Sequence, residues 1–350
     1  MKQVETTSAV GHILCHDLTQ IIPNEFKGAR FRKGHVVTEE DIPVLLSMGK
    51  EHLYVWEKKE GFLHEDEAAE KLAEICENEH MTRSETKEGK IDLFASCDGF
   101  FQVRRNTVAK INSIGEIMIA SRHGNTAVSK GDKLLGTRVI PLVIDEQKLL
   151  TAKKLSGNSP LFKLTPFKRK KAAILVTGNE VQKGLIQDKF SPVVKEKLEE
   201  LGAETFEPVL VGDDPEVTTS QIIKHIENGA EIVVCTGGMS VDPDDKTPLA
   251  IKNTGADIVS YGSPVLPGAM FLLAYYGEKR IPICGLPGCV MYSKRTVFDL
   301  VLPYLMADIP LSIETLAGFG EGGLCIDCPV CTYPNCGFGK GHHYNESDTF

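Results

Sequence analysis

The chain has 350 residues, with 48 acidic side chains against 39 basic ones and a formal net charge of -9 at pH 7. That length suggests two or three domains and allows a sizeable core. The acidic balance argues against a dedicated nucleic-acid binder, because affinity for phosphate backbones comes from clustered Lys and Arg. No apolar stretch reaches bilayer-spanning length and the first residues lack a signal-peptide layout. The expectation is a cytoplasmic protein with no membrane partner, whose ten cysteines are buried apolar residues, ligands or reactive thiols rather than disulfides.

Residues 1–60 read as a β-rich N-terminal region. VGHILCHDL and HLYVWE have strand character, and TEEDIPVLLSMGK reads as a short helix with Thr38 at its start and Gly49 at its end. Residues 61–90 hold a linking helix, because HEDEAAEKLAEICENE has an acidic start and amphipathic spacing. Residues 91–165 read as a second β-rich unit, with FFQVRR, EIMIAS, TAVSK and RVIPLVID as short strands between Gly and Asn turns. The basic run Lys168 to Lys171 reads as a solvated linker.

From residue 170 to 310 strands alternate with helices. AAILVTG, ETFEPVLVG, EIVVCTGG, ADIVSYG and IPICGLPG are the strands. SPVVKEKLEELG, DPEVTTSQIIKHIENG, DKTPLAIKNTG and CVMYSKRTVFDLVLPYLMA are the helices. Such alternation implies βαβ units. The fold class is therefore α/β, a three-layer, mostly parallel sheet preceded by the β-rich region and followed by a cysteine-rich tail at 311–350.

Ligands of open parallel sheets bind beyond the carboxyl ends of the strands. Three strands here end in suitable loops. Thr177-Gly178-Asn179-Glu180 sets polar groups over the sheet. Gly237 and Gly238, after Thr236, expose backbone N–H groups without a Cβ, which suits a phosphate, and Ser240 adds a hydroxyl. Asp242, Asp244 and Asp245 would repel a phosphate unless a divalent cation such as Mg²⁺ sat between them. Gly285, Pro287 and Gly288 form a rigid turn into the last helix. Bare turn-making would explain one such loop. Three together point to a small phosphorylated ligand with Mg²⁺.

In this order the loops resemble the molybdopterin-binding domain of molybdenum cofactor biosynthesis proteins. Its signatures look like Thr-Gly-Asp-Glu, Thr-Gly-Gly-x-Ser-x-Gly-x-x-Asp and Gly-Leu-Pro-Gly-Asn-Pro. The N-terminal stretch ARFRKGHVVTEEDIPVLLSMGKEHLYV resembles the region preceding this domain in the molybdopterin molybdenumtransferase and gephyrin branch. The resemblance implies binding of molybdopterin, in adenylated form, and Mg²⁺-dependent release of AMP as molybdate is inserted. It implies that Gly237, Gly238 and Ser240 cradle phosphate, that Asp245 sits at the metal and pyrophosphate, that Glu180 lines the pterin or metal side, and that Pro287 and Gly288 shape the opposite wall. Catalysis would fall to Asp245 and Glu180. It also implies a homo-oligomer, dimer or trimer, and a molybdoenzyme client.

The sequence departs from that pattern in places. Asp242 stands where the family has Gly, Cys289 and Val290 replace Asn-Pro, and Phe190 replaces an Asn. Leu266 and Ala269 take the places of two lysines in a Lys-Pro-Gly-Lys-Pro stretch. Losing two cations beside an anionic substrate weakens binding, each charged hydrogen bond being worth about 1.5–3 kcal/mol. A carrier or sensor of molybdopterin or of the mature molybdenum cofactor, docking partners through its tail, is the second reading.

That tail reads CIDCPVCTYPNCGFGKG. Cys325, Cys328, Cys331 and Cys336 are set at spacings that suit Zn²⁺ or an iron–sulfur cluster. With four cysteines present, His342 and His343 read as spectators.

Overall fold

The computed structural model describes residues 2–22, 25–55, 60–240 and 245–341. Contacts between Cα positions divide the chain into two compact units. One comprises residues 1–94, 104–122 and 132–162, the other 95–103, 123–131 and 163–350. The stretch 91–165, read from sequence as one β-rich unit, is thus shared between them.

In the first unit the Lys2–Glu5 strand pairs antiparallel with His52–Val55, and Leu18–Ile22 with Phe26–Phe31. With the helix Asp41–Ser47 they enclose a small core of Ala9, Leu14, Leu18, Phe31, Val37, Leu45 and Leu53. Thr38 does not cap that helix as expected. Its N–H and hydroxyl instead donate to Asp41 at 2.8 Å each. VGHILCHDL contributes only isolated bridges at Ile13 and Leu14 before the strand that begins at Leu18. The linking helix runs Glu65–Cys76 and buries Ala68, Ala69, Leu72, Ala73 and Cys76, which recur on one helical face.

The rest of this unit is less β-rich than its sequence suggests. Its sheet runs in the order Met81–Arg83, Lys90–Ala95, Lys133–Val139, Ile117–Ser121. Two helices, Arg105–Asn112 and Glu146–Ser156, accompany it. The FFQVRR strand stops at Val103, where the chain passes from the second unit to the first. Beyond it Thr107, Val108 and Ile111 turn to the interior at helical rather than alternating spacing. RVIPLVID divides around Pro141, which has no N–H for a ladder, into Lys133–Val139 and Val143–Asp145.

The second unit holds the large sheet. Its strand order is Glu204–Thr205, Lys171–Thr177, Ile232–Thr236, Ile281–Leu286, Leu272–Tyr276, Asp257–Tyr261, and Val209–Val211 also pairs with Lys171–Thr177. Pairing is parallel as far as Ile281–Leu286. It is antiparallel at Leu272–Tyr276, which places Asp257–Tyr261 parallel to the central strands again. Alternate residues of one strand feed two cores. Ala172, Ile174 and Val176 join Val194, Leu198, Phe298 and Val301. Ala173 and Leu175 join Ile222, Val233, Cys235 and Ile251. Helices therefore cover both faces, giving three layers.

The final helix is shorter than its apolar run suggests. A 3₁₀ turn spans Gly288–Met291, and the helix Val297–Met306 begins only after Thr296. Thr296 and Asp299 form a capping box: the Thr296 N–H donates to Asp299 at 2.7 Å and the Phe298 N–H to the Thr296 hydroxyl at 3.3 Å. Of the basic run before the first strand, Lys168, Arg169 and Lys171 are exposed as a solvated linker requires, but Lys170 is buried, and Lys168 and Lys170 both pair with Asp308. Among the described residues no helix is long and apolar enough to cross a membrane.

Candidate phosphate-binding site at the strand tips

The sheet register brings the chemistry to one end. Val176 pairs with Thr236, and Thr236 with Leu286, so the first, middle and last parallel strands finish level. Gly285 pairs with Leu272 and Leu272 with Tyr261, which carries Tyr261 to the same end.

The two-glycine turn is built against the first strand. Gly237 and Gly238 have φ of 85° and 55°, the left-handed region. A Cβ on Gly237 would overlap the Thr177 carbonyl oxygen, and one on Gly238 would lie 2.9 Å from the Thr247 hydroxyl oxygen. Only glycine fits both the conformation and the space. Thr177 and Thr247 lie beneath them. Their hydroxyl oxygens are 2.9 Å apart and serve the carbonyls of Thr236, at 3.2 Å, and Gly237, at 2.8 Å. Thr247 went unnoticed in the sequence, although a threonine before a proline at a helix start is a recognisable signal.

Ser240 and Asp245 meet across the loop, the Ser240 N–H donating to the Asp245 carboxylate at 2.9 Å. Asp242 lies outside the described residues. The Tyr261 hydroxyl, also unforeseen, donates to the carbonyls of Met239 and Ser240 at 3.1 and 3.4 Å. Partial burial and the charge of Asp245 push this phenol above its ordinary pKa, so it stays a donor. Met239 is buried directly under the last strand, where a Cβ on Gly285 would lie 2.6 Å from its terminal methyl.

The first tip loop is joined to the second strand's turn. The Asn179 N–H donates to Asp213 at 3.1 Å, and the Asp213 N–H to the Asn179 side chain at 3.4 Å. Asp214 caps the following helix. Glu180 is exposed on the short helix Asn179–Gln182, its carboxyl lying over Gly178. Asp188 accepts from the N–H groups of Phe190 and Ser191 at 2.8 and 3.1 Å, opening the helix Phe190–Glu200. The buried hydroxyls of Ser191 and Thr236 have no hydrogen-bond partner among the described residues. Pro287 precedes the 3₁₀ turn, and Gly288 stands in open space with nothing within 4 Å of a Cβ. Cys289 beside it is half-buried, and burial pushes its thiol pKa up.

The donor set at these tips fits a phosphate: glycine N–H groups in a turn that no Cβ can enter, and the Ser240 hydroxyl. Asp245 also fits a single-carboxylate contact to Mg²⁺ whose remaining ligands are phosphate oxygens and waters. A cavity of about 520 Å³ lined by Lys170, Tyr275, Arg280, Pro282 and Asp308 lies at the opposite, amino end of the strands and is separate from this chemistry.

The tail thiols are not gathered as the tip loops are. Among the described residues, no three of the thiols Cys325, Cys328, Cys331 and Cys336 lie mutually within 4.8 Å. The group that does is His64, Glu65 and Asp66 in the first unit. Lys33 already serves it, with its ammonium 2.9 Å from His64 Nδ1 and 2.5 Å from Asp66.

Residues 173–307 match the family model described as Probable molybdopterin binding domain, and residues 3–57 match a domain of unknown function. The chain is 25% identical over 194 residues to the molybdopterin molybdenumtransferase of Synechococcus elongatus, covering 53% of this chain and 45% of that protein. It is 35% identical over 77 residues to a CinA-like protein of Mycobacterium tuberculosis, covering 22% of this chain and 18% of that one. The matches thus span less than half the length of these relatives. Among solved structures, a tungsten cofactor synthesizing protein MoaB from Pyrococcus furiosus matches at 24% identity and a TM-score of 0.31, over 39% of this chain and 89% of that one.

The second unit is thus an α/β domain with its polar loops at the carboxyl ends of parallel strands. Its segment 173–307 is the part of the chain that matches the probable molybdopterin-binding domain.

Proposed function

We propose that this chain binds adenylated molybdopterin at the strand tips and, with Mg²⁺ and molybdate, releases AMP as the metal enters the pterin dithiolene. The observation that carries this reading is the Gly237–Gly238 turn, held so closely over Thr177 and Thr247 that no other residue fits. A loop of that kind presents backbone N–H groups to a phosphate. Gly237, Gly238 and Ser240 hold phosphate oxygens. Asp245 closes the loop through the Ser240 N–H and leaves carboxylate lone pairs for Mg²⁺. The ion would offset pyrophosphate charge when bound. Glu180 stands at the pterin side, with Pro287 and Gly288 opposite. Tyr261 fixes the loop through the Met239 and Ser240 carbonyls. A dimer or trimer and a molybdoenzyme that receives the product belong to the same proposal.

One observation favours a second reading, a non-catalytic carrier. Both backbone groups of Leu266 are taken by the tail: its N–H donates to Gly323 at 2.8 Å and its carbonyl accepts from Cys325 at 2.8 Å. The position where the resembling family has a lysine is thus a tail-docking point. AMP release by wild type and Asp245→Asn separates the two readings. Release that the substitution removes supports the transferase. Tight pterin binding without release in wild type identifies a carrier.

A further inference from the structure

The cysteine tail is not explained by the pterin site, and its surroundings are informative. Residues 318–341 contain no helix or strand, only the single bridge from Leu324 to Leu266. Its apolar side chains divide: Phe319 and Phe338 join the sheet-domain core, with Cys325, Tyr333 and Cys336 packed against it, while Leu324, Ile326 and Val330 are 64%, 79% and 76% exposed. The exposed stretch 326–331 needs a staple other than apolar burial. Tyr333 and Phe338 anchor its far end. The Tyr333 hydroxyl donates to the Asp299 carbonyl at 2.8 Å, and the Arg295 guanidinium lies 4.9 Å from the centre of the Tyr333 ring. The turn carrying Cys328 and Cys331 is held through its backbone carbonyls instead, and Cys331 is exposed.

Cations gather on this segment. Lys294 donates to the carbonyls of Cys328 and Pro329 at 3.2 and 3.0 Å. Lys340 donates to the Cys336 carbonyl at 3.0 Å. Lys294 and Lys340 thus set positive charge where four thiolates around a divalent ion would carry a net negative charge, while Arg295 is already paired with Glu200 and Asp299. The chain's other thiols are poor competitors. Cys15, Cys76, Cys235 and Cys284 are buried in apolar surroundings, and desolvation of this kind keeps a thiol protonated. Cys97 lies in the bend between Lys90–Ala95 and Gly99–Val103, and Cys289 in the 3₁₀ turn Gly288–Met291.

We propose that Cys325, Cys328, Cys331 and Cys336 close around one Zn²⁺ in tetrahedral thiolate coordination, and that this clamp fixes the tail across two loops of the strand-tip face. Zn–S bonds of about 2.3 Å place the sulfurs about 3.8 Å apart. The thiols therefore draw together from their present positions, and the turn at 328–331, held through its backbone by the long Lys294 side chain, is the part that moves. A single ion suits one short run of four. In the ferredoxin-type run the fourth cysteine serves another cluster, and here no second set of exposed thiols exists among the described residues. The clamp reaches the loop at Leu266 through the bridge to Leu324 and the loop before Val297 through Lys294. Metal binding itself does not rest on the pterin reading.

The test is metal analysis of the full chain purified without oxygen, with Co²⁺ exchanged for the native metal. The proposal expects one zinc per chain, no acid-labile sulfide, and the thiolate charge-transfer and tetrahedral bands of a tetrathiolate cobalt site. The double variant Cys328→Ser/Cys331→Ser should lose at least 10-fold in zinc affinity, while Cys97→Ser keeps the metal. Chelation of wild type should expose the tail to protease without unfolding the sheet, which covers the case in which the double variant does not fold. Iron with sulfide, an absence of stoichiometric metal, or full zinc retention by the double variant would each overturn the assignment. None of these readouts involves pterin, so failure here leaves the pterin reading intact.

Discussion

Gly237 and Gly288 stand in two different tip-loop motifs and behave oppositely. Gly237→Ala forces a side chain into the left-handed region, at about 1–2 kcal/mol, and onto the Thr177 carbonyl besides. Gly288→Ala adds a Cβ to open space, where substitutions change stability by about 0.5 kcal/mol or less. The expected outcome is a lowered melting temperature and lost phosphate-ligand binding for the first, and unchanged stability for the second. Equal melting temperatures for the two variants would contradict the packing described. Asp245→Asn keeps an oxygen to accept from Ser240 and removes only charge. Thermal stability should stay within about 1 kcal/mol, while Mg²⁺-dependent AMP release falls about 100-fold or more. The glycines, Ser240 and Asp245 were legible because tip loops need special backbone or charge. Thr247 and Tyr261 were not, because their roles come from contacts between loops far apart in sequence.

At the scale of elements, Asp299 joins three functions at the start of the last helix. It caps Thr296, pairs with buried Lys197 at 2.6 Å, and pairs with Arg295 at 2.9 Å. Removing one partner of a buried pair costs about 3–5 kcal/mol, because the other charge is left uncompensated. Asp299→Ala should therefore lower the denaturation midpoint of the sheet domain by that order in urea titrations, and Lys197→Met together with it should recover part of the loss. The helix start at Thr296 was missed although the polar residues 293–296 interrupt the apolar run and Thr296 with Asp299 three residues on has the spacing of a capping box. The helix Arg105–Asn112 was hidden because its apolar residues sit among strand-like neighbours. The strand Leu272–Tyr276 reads as a bare apolar run, which periodicity alone does not assign. In contrast, the parallel strands and their covering helices carried turn residues at each junction and were legible.

In the first unit, burial and the neighbouring Asp66 raise Glu65 from an ordinary 4.5 to about 7. A carboxyl raised on folding stabilises fully below its unfolded value, and that contribution is lost as pH rises through the folded one. Stability of this unit should decline between pH 4.5 and 7, and Glu65→Gln should flatten the decline in melting curves taken across that window. An identical slope in the variant would remove Glu65 as its source.

On the scale of the whole molecule, two compact units are interleaved in sequence, since segments 95–103 and 123–131 belong with the sheet domain. No linear reading anticipates that exchange, because each segment is locally an ordinary strand. The family match stops at residue 307, while the tail beyond it pairs with Leu266 and Lys294 on the strand-tip face. The most direct measurement is equilibrium binding of adenylated molybdopterin to the full chain, with and without Mg²⁺. One site per chain, tightened by Mg²⁺ and lost in Gly237→Ala but kept in Gly288→Ala, is the predicted result. No binding, or binding indifferent to Gly237, would contradict a phosphate site at the Gly237–Gly238 turn.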